Sequence, residues 1–177
     1  VFLARHGYGH TIAPHEVNYR ANLWALREAQ VTDIVSIASV GGIRADLTPG
    51  ALVVPHQILD YTWGRAATFF EGPGMPVTHV DFTEPYSAAL RARLLAAAGR
   101  CGEAVADGCV YATTQGPRLE TAAEIARLER DGAHVVGMTG MPEAVLAREL
   151  GLRYAALAVV ANFAAGRGDS ARAVALE

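Results

Sequence analysis

Short apolar runs and helical segments take turns along this chain, and that alternation limits the fold more than any other feature. Ile34 to Ala38, Ala51 to Val54, Val105 to Thr114, His134 to Met138 and Tyr154 to Ala161 are strand-like. Val17, Ala21, Trp24 and Ala25 recur at helical spacing in the segment from about His15 to Gln30. Pro85 to Gly99 is rich in Ala, Leu and Arg and reads as a second helix. Thr121-Ala122-Ala123-Glu124 has the spacing of a capping box, and Gly132 closes the helix it opens. Pro142 sits in the first turn of a last helix that ends before Gly151. Strands that alternate with helices predict an α/β fold, a single domain over 1–177 with a mixed or largely parallel central sheet flanked by helices. Gly64 to Pro76, rich in Gly, Pro and Phe, reads as a long loop. Val1 to Ala4 reads as the second half of a further buried strand, with no initiator Met, as if an N-terminal segment preceded it.

At 177 residues and 51% hydrophobic, the chain can bury one sizeable core. A net charge of -3 with both signs interspersed provides no basic stripe for nucleic acid or an anionic membrane. Cys101 and Cys109 are too few for a disulfide framework, which fits a reducing cytoplasm. No apolar stretch of roughly 18 or more residues is present to span a bilayer. The six histidines are scattered, and His6 and His10 are separated by two glycines rather than placed on one helical face, so no metal site is expected. The chain also carries no GxSxG.

In open α/β sheets, ligands bind beyond the carboxyl ends of the strands. Arg5 and His6 could hold a phosphate there, or be a surface arginine and a loop histidine. Ser39-Val40-Gly41-Gly42 could form an anion-binding nest, but a tight strand end needs the same glycines. Glu120 could favour a helix dipole or accept from a ligand N–H. Thr139 could cap a helix or help receive an anion at its N-terminus.

Taken together, Phe2 to Gly7, His10 to Pro14, Val17 to Asn22, Gly116-Pro117-Arg118 and Gly137 to Ala144 resemble the trimeric purine nucleoside phosphorylase family, its methylthioadenosine phosphorylase branch above all. The resemblance runs over nearly the whole chain. It implies a three-layer nucleoside phosphorylase-like fold, a homotrimer, and cleavage of a glycosidic bond by inorganic phosphate as co-substrate, without a metal or organic cofactor. It assigns Arg5, His6, the Ser39 backbone in the loop after its strand, and Thr139 to phosphate. It assigns the Met138 backbone to ribose, Leu119, Glu120, Asn162 and Ala164 to the base, and Phe163 to substrate binding. His79 matches a histidine lent to a neighbouring subunit's pocket. The family's N-terminal strand and Gly-rich phosphate turn would lie ahead of Val1, and its C-terminal end beyond Glu177.

Asn162 and Ala164 stand where the methylthioadenosine enzymes carry aspartates. A 6-aminopurine offers an N6–H donor and an N1 acceptor; a 6-oxopurine offers an O6 acceptor and an N1–H donor. An asparagine can donate to O6 and accept from N7–H, whereas an ionised aspartate only accepts. With Glu120 accepting N1–H, the resemblance implies a 6-oxopurine member of the branch. Such a member would convert S-methyl-5'-thioinosine to hypoxanthine and 5-methylthioribose 1-phosphate, with Asn162 and Glu120 as the catalytic pair. Ala173, Val174, Ala175 and Leu176 would suit an apolar 5' group. Phosphorolysis of methylthioadenosine, inosine or guanosine, and nucleoside binding without catalysis, are the alternatives.

Overall fold

The computed structural model describes residues 1–174. Ten elements follow one another as α1 (Tyr19–Glu28), β1 (Asp33–Gly42), β2 (Leu52–Asp60), α2 (Ala88–Cys101), β3 (Val105–Thr113), α3 (Ala122–Arg130), β4 (Val135–Gly137), α4 (Gly140–Glu149), β5 (Arg153–Phe163) and a short 3-10 turn at Gly168–Ser170. The sheet is mixed, as expected, and closes on itself in the order β1-β4-β3-β2-β5. β1 runs parallel to β5, and β3 parallel to both β2 and β4. Two short antiparallel seams, β1 with β4 and β2 with β5, complete the closure.

Local chemistry sets the helix ends. Asn18 accepts from the Ala21 N–H at 3.0 Å, so α1 begins a few residues after His15. Ser87 caps α2, and Gly102 ends it at φ +73°. Thr121 and Glu124 form the reciprocal capping box at α3. In α4, Met141 has extended backbone angles, so the regular helix starts at Pro142. β2 runs on through Pro55 to Asp60, with register shifts on both sides of the proline, which has no N–H to give the ladder.

The expected strand at Val1 to Ala4 is not formed. Its backbone joins no ladder, and Val1 and Phe2 are exposed. Inside the closed sheet, Val40, Val53, Cys109, Tyr111, Val135, Ala158 and Val160 pack together. Leu23, Tyr86, Leu146, Ala147 and Tyr154 bury the α1 and α4 side of the sheet. Ile125 and Leu128 of α3 pack on Ala112 and Val136. Among the described residues, no helix is long and apolar enough to cross a membrane.

Candidate active site

The parallel pairing of β1 and β5 brings the carboxyl ends of both strands to one rim, and the rim is irregular. Val40 pairs with Val160, but Gly41 pairs with Asn162, which leaves Ala161 as an extra residue in β5. Such a bulge re-aims the side chains that follow it. Asn162 and Ala164 line a cleft of about 500 Å³. Phe163, between them, does not. Its ring lies against the turn at Gly168, where an added Cβ would sit 2.6 Å from it, because successive strand residues face opposite ways. Phe163, expected to bind substrate, thus stands outside the lining of this cleft.

Arg5, His6, Ser39, Leu119, Glu120, Met138, Thr139, Asn162 and Ala164 all line this cleft, with His10, Pro14, Gly41 and Val174 beside them. Ser39 is not in a loop: it is paired with Val159 inside β1, which continues to Gly42. The two glycines form a strand end, not an anion nest. A Cβ on Gly42 would lie 2.2 Å from the Leu47 carbonyl oxygen. His79 is exposed on the loop between β2 and α2 and lies away from this cleft. Ala175 and Leu176 fall outside the described residues.

In the cleft lining, Arg5 meets buried Glu143 through Nε to Oε1 and Nη2 to Oε2, both 2.9 Å. Nη2 also donates to Ser36 Oγ at 2.7 Å, and Nη1 to the Ile37 carbonyl at 3.1 Å. Four of its five N–H donors are thus engaged, and one on Nη1 is left. Burial works against the Arg5 charge, but the Glu143 carboxylate outweighs it and holds the guanidinium above its ordinary value. Tyr154 donates to Glu143 Oε2 at 2.6 Å; burial first, and then this carboxylate, push the phenol well above its usual range. His6 Nδ1 lies 2.8 Å from the Ile12 carbonyl, and its ring stacks on His10. Thr139 is buried and makes no helix-capping hydrogen bond, so its place is not explained by the helix.

Thr114 Oγ1 donates to Glu120 Oε1 at 2.5 Å. Glu120 lies just ahead of the Thr121 cap, and among the described residues no side chain donates to its second oxygen. Asn162 Nδ2 donates to the Phe163 carbonyl at 2.6 Å, keeping a second N–H and the carbonyl oxygen for other partners. An acceptor-only carboxylate, a donor–acceptor amide and a cation thus line one cleft. Glu143, Thr114 and Arg65 went unassigned in the sequence. Glu143 falls within a quoted motif, but its burial depends on α4 docking against Arg5.

The match to known proteins is extensive. A family model described as "Phosphorylase superfamily" matches residues 1–176. A Pseudomonas syringae pv. tomato protein named probable S-methyl-5'-thioinosine phosphorylase is 58% identical over 170 residues, 96% of this chain and 69% of its own length. The 6-oxopurine nucleoside phosphorylase of Pyrococcus furiosus is 49% identical over 93% of this chain and 64% of its own. Methylthioadenosine phosphorylase from Schistosoma mansoni, solved with tubercidin, superposes with a TM-score of 0.89 at 36% identity, over 93% of this chain and 66% of its own. The chain spans about two thirds of the length of these relatives. It belongs to the phosphorylase superfamily.

Proposed function

We propose that this cleft binds S-methyl-5'-thioinosine and inorganic phosphate and releases hypoxanthine and 5-methylthioribose 1-phosphate. The observation that carries this reading is the joint presence of Glu120, Asn162, Arg5 and Thr139 in the lining of one cleft. Relatives named for 6-oxopurine nucleosides, at 49% and 58% identity, support it over the methylthioadenosine enzyme at 36%.

Arg5 offers its remaining Nη1–H to phosphate, together with His6, the Ser39 backbone and Thr139. The Met138 backbone meets ribose, and Leu119, Ala164 and Val174 enclose apolar parts of the nucleoside. A phosphate oxygen forms a bond to C1' as the C1'–N9 bond breaks, and the ribosyl group gains oxocarbenium character. The bonding pair moves onto the purine, which takes up at N7 the proton that hydrogen phosphate gives up, exchanged through solvent; Glu120 accepts from N1–H, and Asn162 donates to O6 and accepts from the new N7–H. Catalysis is then orientation and charge stabilisation, with no covalent intermediate and no cofactor. The enzyme works in the cytoplasm as a homotrimer in which His79 reaches a neighbour's pocket.

Comparing kcat/KM for S-methyl-5'-thioinosine, methylthioadenosine and inosine, each with saturating phosphate, tests the reading. Preference for the first is expected. Preference for methylthioadenosine would overturn the base argument, and absence of phosphate-dependent cleavage would favour binding without catalysis.

A further inference from the structure

Arg65 stands on the long loop after β2 and does not line the cleft, yet its guanidinium binds both chain segments that lead to the lining residues Glu120, Met138 and Thr139. Nη1 donates to the carbonyls of Met138 at 2.8 Å and Met141 at 2.6 Å. Nη2 donates to the Gln115 carbonyl at 2.9 Å and reaches that of Thr114 at 3.4 Å. The first pair fixes the turn from β4 into α4, which holds Met138 and Thr139. The second fixes the exit from β3, five residues before Glu120.

Among the described residues no carboxylate pairs with this cation. It sits over the Tyr19 ring at 5.5 Å, and burial lowers its pKa. A half-buried charge held mainly by carbonyls and the Tyr19 hydroxyl, with Asp60 helping without an ion pair, is an expensive way to tie down a loop. A planar fork, in contrast, meets carbonyls on two chain segments at once, as an ammonium cannot. The two segments are also in close register through side chains: Gly116 approaches Met138 so tightly that a Cβ would lie 2.4 Å from the sulfur. A shift of either segment therefore moves the other.

We propose that Arg65 is a positioning residue for phosphorolysis, and that its fork sets the spacing between the ribose-facing Met138 peptide and the base-facing Glu120. This rests on the function proposed above. By occupying the Met138 carbonyl, Arg65 turns that peptide so that its other face meets the sugar. By holding Thr114 and Gln115, it places the hydroxyl that orients Glu120. No step of the reaction passes through Arg65 itself.

The test compares the parent full chain with Arg65→Ala and Arg65→Lys, using S-methyl-5'-thioinosine and phosphate. Thermal unfolding of each protein and calorimetric binding of hypoxanthine are measured alongside. Arg65→Ala should stay folded and lose about 100-fold in kcat/KM, mostly in kcat. Guanidinium at tens of millimolar should restore it about tenfold, where sodium chloride at the same concentration does not. Arg65→Lys should recover thermal stability but not kcat. A folded Arg65→Ala protein within threefold of the parent would overturn the proposal. So would a loss that follows the unfolded fraction and is not rescued by guanidinium. A parent that binds hypoxanthine without cleaving nucleosides would refute the phosphorolysis reading instead, and a tenfold weaker hypoxanthine affinity in Arg65→Ala would still support the placement of Glu120. A parent that neither cleaves nor binds overturns both.

Discussion

Glu143 grips Arg5 with both carboxylate oxygens, across 138 residues of sequence, at 2.9 Å on each side. The pair anchors an N-terminal loop that forms no strand to the first turn of α4. Its charge is almost spent internally, which leaves Arg5 a directional donor at the cleft wall more than a free cation. Tyr154 supplies the third hydrogen bond and makes Glu143 the centre of the cluster.

Breaking this cluster is costly because the surviving charge stays buried. Glu143→Ala should lower stability by roughly 3–5 kcal/mol, the usual result of removing one partner from a buried ion pair. Tyr154→Phe should cost only about 1–2 kcal/mol, since Arg5 still satisfies the carboxylate. Urea unfolding at pH 7 separates the two. Equal midpoints for Glu143→Ala and the parent would show that Arg5 swings out to water when freed.

Gly42 is required for space and not for backbone freedom. A Cβ there would meet the backbone oxygen of Leu47 at 2.2 Å and Val160 Cγ1 at 3.2 Å. Backbone cannot retreat as a side chain can, so Gly42→Ala should cost about 1–3 kcal/mol or more. Gly41→Ala, whose nearest contact is a valine methyl at 3.2 Å, should cost less. Thermal melts of the two variants should rank them in that order.

Acid should weaken the capping box of α3 in a defined window. The Arg118 guanidinium and the Thr121 N–H hold Glu124 at about 2, below its ordinary 4.5. A carboxyl depressed on folding stabilises the protein fully above its unfolded value and loses that contribution as pH falls through its folded value. Glu124→Gln should therefore lower Tm by about 2–4 °C at pH 7. The difference should shrink from pH 4.5 downward and vanish near pH 2. A constant difference across that range would place the stabilisation in helix propensity instead.

The sequence makes the alternation of elements and the helix caps legible because these depend on neighbours a few residues apart: Thr121 with Glu124, Ser87 with Leu90, Pro142 with its own helix. Most residues expected at the site also converge, since strand ends are visible as apolar runs that stop. Distant pairing was not legible. The bulge at Ala161, which sets the faces that the alternating Asn162 and Phe163 take, exists only in the pairing with β1, and Ser39 is in a strand because β5 continues to pair with it. Arg65, Thr114 and Glu143 gain their roles from partners up to 138 residues away. Nothing in the local pattern of a Gly-rich loop or a helix start distinguishes such residues from solvated ones.

Asn162→Asp is the sharpest test of the base argument because it changes one atom of the side chain and nothing of its size. Asn162 has one N–H committed to the Phe163 carbonyl and one to spare for O6. An aspartate loses both, so it opposes a 6-oxopurine at O6 and repels the Phe163 carbonyl. It gains an acceptor suited to the N6–H of a 6-aminopurine. Mispairing a buried polar group costs about 1–3 kcal/mol, or roughly 5- to 150-fold in rate. The variant should lose about 100-fold in kcat/KM for S-methyl-5'-thioinosine while methylthioadenosine improves, so that the ratio between them inverts. Ala164, which lines the cleft, supplies no second carboxylate to assist, which should keep the new activity well below the lost one. Equal losses for both nucleosides would mean that Asn162 supports the bulge rather than reading the base.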